Sequence, residues 1–373
     1  MLKRQVASAS RPAAGRASRN RRGAKRLQID LALQGGGSHG AFTWGVLDRL
    51  LEEEQLEISA ISGTSAGAMN AVALAAGLMD DGRTGARRVL RQFWTRVAES
   101  SPFHSWQTGP LTAGFGPAAN WLAPFYEPFA HAAAQWSNVF SPYQLNPLNL
   151  NPLRDILTET IDFDRVRNCN RSQLFIAATQ VRTGALRVFD QCDLSADVVL
   201  ASACLPLLFQ AVQIDGEAYW DGGYAGNPSL MPLITDSPAD DLLLVQINPL
   251  DRSKVPTSAE GILDRINEVT FNASLLKELR TIALLQQLVA QRQRAEPGTG
   301  HRLFDRIETL RVHLLDGGAS LAEFSAASKT NTQWSFLTQL HALGRDAANG
   351  WLAEHGAALG QRSSFDPASL LQP

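Results

Sequence analysis

A chain of 373 residues that is 45% hydrophobic and 19% charged can bury a large core, as one α/β domain or two smaller ones, and is neither a fibrous nor a wholly disordered protein. Its three cysteines, Cys169, Cys192 and Cys204, are scattered and odd in number, so neither a disulfide framework nor a metal site is expected, and a reducing, cytoplasmic setting is. The formal charge of −2 conceals an asymmetry: residues 1–26 carry nine Lys/Arg and no Asp/Glu, which leaves 25 basic against 36 acidic residues in the remainder.

That tail, 1–26, is rich in Ala, Ser and Arg and has almost nothing to bury, so it reads as disordered. Its composition suits a solubilising extension, a transit peptide, or an electrostatic tether to anionic lipid, nucleic acid or another polyanion. No specific nucleic-acid partner is expected. No apolar core segment follows the basic residues, so no secretory leader is expected. The longest apolar run, 198–212, is short and broken by Pro206, so no transmembrane helix is expected.

Residues 27–33 read as the first core strand, followed by Gln34 and three glycines, Gly35, Gly36 and Gly37. Gly40 comes next, and from Ala41 the apolar positions Phe42, Val46, Leu47, Leu50 and Leu51 recur at helical spacing. A second short strand, 57–62, leads straight into Gly63-Thr64-Ser65-Ala66-Gly67. This Gly-x-Ser-x-Gly pattern on a strand-to-helix turn lifts a serine hydroxyl above the edge of a sheet. Gly63 and Gly67 fit a turn too tight for side chains on both sides of the nucleophile. The helix it opens, 66–78, is almost all small and apolar, as expected of a helix buried on a sheet, and its N-terminus favours negative charge at Ser65. Asp80-Asp81-Gly82 ends it, and 85–98 forms a further amphipathic helix.

Composition then changes. Between 100 and 153 the only charged residue is Glu127, amid Trp106, Trp121, Phe125, Trp136 and other aromatics. The segment reads as a buried excursion, a dimer surface, or an apolar lid or acyl-chain channel. A helix over 152–161 follows, then strands over 174–179 and 186–190, a helix over 196–202, and a hairpin of 212–214 and 218–220. That hairpin runs into Asp221-Gly222-Gly223. Residues 242–248 form a continuous apolar strand suited to burial on both faces. One or two long helices occupy 258–295, a last strand 311–315, and an amphipathic helix 333–355. Strands alternating with helices predict an α/β fold: a mainly parallel central sheet flanked by helices. The expected organisation is a tail at 1–26, a catalytic domain at 27–256 carrying the aromatic insertion 100–153, and a helical C-terminal extension at 257–373 packed on that domain.

Ester hydrolysis through a serine needs an activated hydroxyl, a base, and donors for the oxyanion. Ser65 supplies the hydroxyl. In a β-α-β unit the ends of successive parallel strands lie side by side, so the loop of Gly35, Gly36 and Gly37 would sit beside Ser65 and offer its N–H groups to an oxyanion. No histidine has an evident place as base: His104 and His131 fall in the aromatic segment, and His301, His313, His341 and His355 in C-terminal elements. His39 would sit on the oxyanion side. Asp221 ends an apolar strand and precedes two glycines, and partial desolvation there would raise its pKa and make it a better base.

The motifs GGGSHGAF, GTSAGAMNA, ASACLPLLFQAVQIDG and DGGYAGNPS, in that order across residues 28–248, resemble those of the patatin-like phospholipase family of bacterial type. The resemblance implies a Ser–Asp dyad, with Ser65 as nucleophile and Asp221 as general base. It also implies an oxyanion loop at Gly35, Gly36 and Gly37 and a site wall shaped by Pro206. The implied activity is hydrolysis of lipid acyl esters without a metal or other cofactor, by a phospholipase A- or lysophospholipase-like enzyme. The family usually has Arg or Lys in the glycine loop where this chain has His39. A histidine would hold the loop either protonated, below about pH 6.5 for an unperturbed ring, or neutral through hydrogen bonds. A lipid or other acyl ester is the expected partner, with peripheral membrane or lipid-granule contact through the basic tail and the aromatic segment.

Three other readings compete. Gly35 to Gly40 also satisfies the Gly-x-Gly-x-x-Gly dinucleotide fingerprint, but the second strand lacks the terminal acidic residue that fingerprint requires. An acyltransferase or a polyester-oligomer esterase would use the same dyad. A non-enzymatic lipid- or granule-binding protein would keep the fold with a vestigial site.

Overall fold

Alternation along the strands decides which layer each side chain enters. A computed structural model describes residues 26–100, 141–252, 254–295 and 302–371. The basic tail up to residue 25, the aromatic stretch 101–140, and His104, His131 and His301 lie outside the described residues. The strands are β1 (Leu27–Leu33), β2 (Leu56–Gly63), β3 (Gln173–Gln180), β4 (Leu186–Phe189), β5 (Val212–Ile214), β6 (Glu217–Asp221), β7 (Asp241–Gln246) and β8 (Arg311–Asp316). They form one sheet of order β5-β6-β3-β2-β1-β7-β8, with β4 paired to β3. The pairs β1–β2, β1–β7, β2–β3 and β7–β8 are parallel, while β3–β4, β3–β6 and β5–β6 are antiparallel. The sheet is therefore mixed but mostly parallel.

The principal helices are α1 (Gly40–Leu50), α2 (Ala66–Glu99), α3 (Pro152–Thr160), α4 (Phe163–Arg167), α5 (Ala196–Ser202), α6 (Met231–Asp236), α7 (Ala259–Ala295), α8 (Arg302–Thr309) and α9 (Trp334–His355). Leu31, Leu33, Ile61, Leu243 and Val245 point to one face of the sheet, where α1, α2, α5 and α9 cover them. Ala32, Ala60, Leu242 and Leu244 point to the other, against α6, α7 and α8. Each fully buried Leu, Val or Ile on these faces contributes roughly 1.5–3 kcal/mol, and β7 is buried along its whole length, as its unbroken apolar run predicts.

Asp81 and Gly82 leave helical geometry (φ −142° and +57°) and divide α2 into two helices, as Asp80-Asp81-Gly82 predicts. The residues beyond 257 carry the strand expected at 311–315. Their strand β8 extends the sheet beside β7, and α9 packs on α1 so closely that a Cβ on Gly344 would lie 2.0 Å from the Phe42 carbonyl oxygen. The C-terminal third thus shares the core of the first two.

Candidate active site

The sharp turn after β2 carries Ser65 at φ 54° and ψ −122°, a region that costs a residue with a Cβ about 1–3 kcal/mol. The surroundings hold it there. The Ser65 N–H donates to Ser202 Oγ (2.9 Å), Thr64 Oγ1 to the Gly226 carbonyl (2.7 Å) and Ser62 Oγ to the Ser229 carbonyl (2.6 Å). The turn also needs glycines: a Cβ on Gly67 would lie 2.1 Å from the Leu33 carbonyl oxygen, and one on Gly63 2.7 Å from that of Gly67. Ser65 itself ends up 7% exposed, at the N-terminus of α2.

Strand β3 acts as a ruler that brings Asp221 to this turn. Ile176 pairs with Gly63 on one flank and Phe189 on the other, and Ala178 pairs with Asp221 on one flank and Arg187 on the other. Since Phe189 and Arg187 both belong to β4, Gly63 and Asp221 share the opposite flank. The ends of β2 and β6 therefore meet two residues apart along β3, about 7 Å by strand rise. A backbone hydrogen bond from Asp221 to the Cys204 carbonyl (2.8 Å) and one from Thr179 Oγ1 to the Asp221 carbonyl (2.8 Å) fix the strand end.

Asp221 is fully buried. Its Oδ1 accepts the Gly223 N–H at 2.7 Å, while Oδ2 is buried with no hydrogen-bond partner among the described residues. Burial pushes the carboxyl pKa up to about 7, against the lowering effects of the Gly223 N–H, the Ser65 hydroxyl and Lys329. The Ser65 hydroxyl is thus near enough to act on the carboxyl without a well-formed hydrogen bond to Oδ2. Such contacts commonly tighten only when substrate is bound.

The glycine loop joins β1 to α1 on the other side of Ser65. Gln34 pins its start, with Oε1 accepting the N–H groups of Ile247 and Asn248 (2.9 and 2.8 Å) and Nε2 donating to Asn272 (2.8 Å). Gly35 departs from the expected role. Its N–H is taken by Asn227 Oδ1 at 2.7 Å and its carbonyl accepts from Asn248 Nδ2 at 2.8 Å, so it anchors the loop and has no donor left for an oxyanion. Gly36 and Gly37 line the cavity together with Ser65 and Asp221, and neither N–H meets an acceptor among the described residues.

His39 also departs from expectation. It is buried against the rings of Phe324 and Phe336, with Nε2 2.7 Å from Ser328 Oγ. Burial, reinforced by nearby Lys329, pushes its pKa down to about 4. The ring is neutral at neutral pH and supplies no cation.

Gly36, Gly37, Ser65 and Asp221 line a cavity of about 370 Å³. The rest of its wall is largely apolar, with Met69, Phe93, Trp94, Leu205, Leu208 and Phe271 among the lining side chains. Pro206 is not itself in the lining. It sits in the turn between Leu205 and Leu208, which are. Gly222 and Gly223 form the turn that follows Asp221. No histidine lines the cavity among the described residues. His313 is held in a separate buried cluster, 3.0 Å from Asp241 Oδ1. Sequence reasoning passed over Ser202, Asn227, Asn248 and Lys329. The first two lie inside the recognised motifs and Asn248 ends the apolar stretch read as a strand over 242–248, whereas nothing around Lys329 marked it.

Residues 31–234 match the family model described as patatin-like phospholipase. Among solved structures the chain is similar to VipD from Legionella pneumophila, at 14% identity over 89% of this chain and 67% of that one, with a TM-score of 0.40. It is also similar to a chain in the complex of SpcU with ExoU from the type III secretion system of Pseudomonas aeruginosa, at 15% identity over 93% of this chain and 74% of that one, with a TM-score of 0.27. No curated protein matches.

Proposed function

The chain belongs to the patatin-like phospholipase family, which implies a lipid acyl hydrolase, and from this premise we propose that it cleaves lipid acyl esters through Ser65 and Asp221 in a phospholipase A- or lysophospholipase-like reaction. The observation that carries this reading is the buried carboxylate oxygen Oδ2 of Asp221, without a partner among the described residues, in the wall of a largely apolar cavity that Ser65 also lines.

A carboxyl with a pKa of about 7 is ionised in a large fraction at neutral pH and is still basic enough to take a proton. Ser65 Oγ attacks the ester carbonyl carbon as its proton passes to Asp221. The carbonyl oxygen becomes an oxyanion facing the N–H groups of Gly36 and Gly37 and the positive end of α2. Collapse of the adduct breaks the ester C–O bond, and Asp221 returns the proton to the leaving alcohol. Water then attacks the acyl-Ser65 carbonyl, giving its proton to Asp221, which protonates Ser65 Oγ as the fatty acid leaves. The apolar wall supports an acyl chain as the group held during both steps.

The test is a chain-length series of aryl esters and phospholipids with wild type, Ser65→Ala and Asp221→Asn, together with a fluorophosphonate probe. Both variants are expected to lose at least ~10³-fold in kcat, and Ser65→Ala to lose probe labelling. An active Asp221→Asn enzyme would refute the dyad.

A further inference from the structure

We propose that Lys329 supplies the glycine loop with the positive charge that position 39 lacks, and that His39 seats it there through Ser328. This assignment rests on the Ser65–Asp221 reading and adds a positioning residue to it from the opposite end of the chain.

The geometry begins at the short 3₁₀ turn Ala326–Thr330, which packs on the glycine loop. A Cβ on Gly37 would lie 2.4 Å from the Lys329 carbonyl oxygen, so at this point the two backbones touch. The hydrogen bond between His39 Nε2 and Ser328 Oγ fastens the turn one residue before Lys329. The lysine side chain then runs into the cavity that holds Ser65 and Asp221. Its Nζ donates to Asn248 Oδ1 and Asn267 Oδ1, both at 2.8 Å, and lies 5.6 Å from the centre of the Phe271 ring. Asn248 in turn donates to the Gly35 carbonyl at 2.8 Å, so a two-step relay links the ammonium to the loop backbone.

The way this cation is held argues against a purely structural role. Lys329 has no ion-pair partner within 4.0 Å among the described residues, and its two hydrogen bonds go to neutral amides. Glu268, a neighbouring carboxylate on α7, is engaged by Arg252 and Arg265. A half-buried cation left without a contacting anion is costly and is characteristic of functional sites. The charged and titratable groups around it are Glu268 and Asp264 from α7, Asp221 from β6 and Arg252 from the segment after β7, with neutral His39 on the loop. Burial lowers the Lys329 pKa to about 8, which leaves it mainly charged at pH 7. In that state it favours the ionised form of Asp221 and any oxyanion formed against Gly36 and Gly37.

The pH profile of kcat/KM for aryl-ester hydrolysis by Lys329→Met and Lys329→Arg tests the assignment. Lys329→Met is expected to lower kcat by roughly 10–100-fold with KM within about threefold. It should also move the acid limb of the profile upward by about half a unit to one unit, because Asp221 loses a stabilising charge. Lys329→Arg should return the limb to its wild-type position. A misfolded fraction lowers the amplitude of a profile without moving its midpoint, so the limb reports the charge rather than the stability. A limb that stays in place in Lys329→Met, or that Lys329→Arg fails to restore, overturns the assignment. Ser65→Ala is run alongside. Hydrolysis that survives it overturns the Ser–Asp reading and this inference together. Hydrolysis that dies with Ser65 but ignores Lys329 overturns this inference alone.

Discussion

Replacing Asp221 with Asn should abolish turnover and, at alkaline pH, make the protein more stable. The sign follows from the raised pKa. In the folded protein burial lifts the carboxyl from 3.8 to about 7, so folding favours its neutral form. That advantage is complete below pH 3.8 and is lost as pH rises through 7. At about 1.4 kcal/mol per unit, holding the ionised carboxylate in the folded state costs about 4 kcal/mol at pH 8. At pH 5 only about 2 kcal/mol of that penalty has accrued. Asn does not titrate, so the stability of Asp221→Asn relative to wild type should rise by roughly 2–3 kcal/mol between pH 5 and pH 8.

Urea denaturation of both proteins at half-unit steps measures this as a difference of differences. The design matters because Asp30, buried and bonded to Ser237, also has a pKa raised to about 7 by burial. Its contribution is common to both proteins and cancels. The pH at which the stability gap levels off should coincide with the acid limb of wild-type kcat/KM, since the folded-state pKa of one carboxyl sets both. A gap that is flat with pH, or that widens toward acid, would show that Asp221 is ionised at little cost, and the reasoning about a desolvated base would fail.

Two further outcomes follow from the supports of the site. Ser202→Ala leaves the buried Ser65 N–H without its acceptor, so it should destabilise the fold by about 1–3 kcal/mol in urea and lower kcat more than it raises KM. Retention of full kcat would show that the turn keeps its shape without this bond. His39, neutral above about pH 4, should show no ring titration by NMR between pH 5.5 and 8, and a midpoint near 6.5 would contradict its burial between Phe324 and Phe336.

How much of the site was legible follows from how each residue is held. The elbow and the glycine loop are local: a strand, a tight turn and a helix lie within a few dozen residues of each other, and each leaves a mark in hydrophobic period or glycine spacing. Asp221 is distant in sequence but announces itself as the polar end of an apolar strand before two glycines. The donors were less legible. Gly35 looks like Gly36 and Gly37, and only the tertiary contact with Asn227 shows that its N–H is spent on anchoring the loop. His39 stands where a cation is usual, yet its charge is set by Phe324, Phe336 and Ser328, all nearly 300 residues away, and no local pattern records that surrounding. Lys329 is the extreme case. It sits in a polar turn that any surface would accept, and it reaches the cavity only because β8 extends the sheet and α9 packs on α1. With Lys329 in its proposed role, the C-terminal third, read as an extension packed on the catalytic domain, bears on the chemistry. Because the turn of Ala326–Thr330 lies between β8 and α9, a change that loosens either element would disturb the charge beside Asp221 before it disturbed the elbow or the dyad.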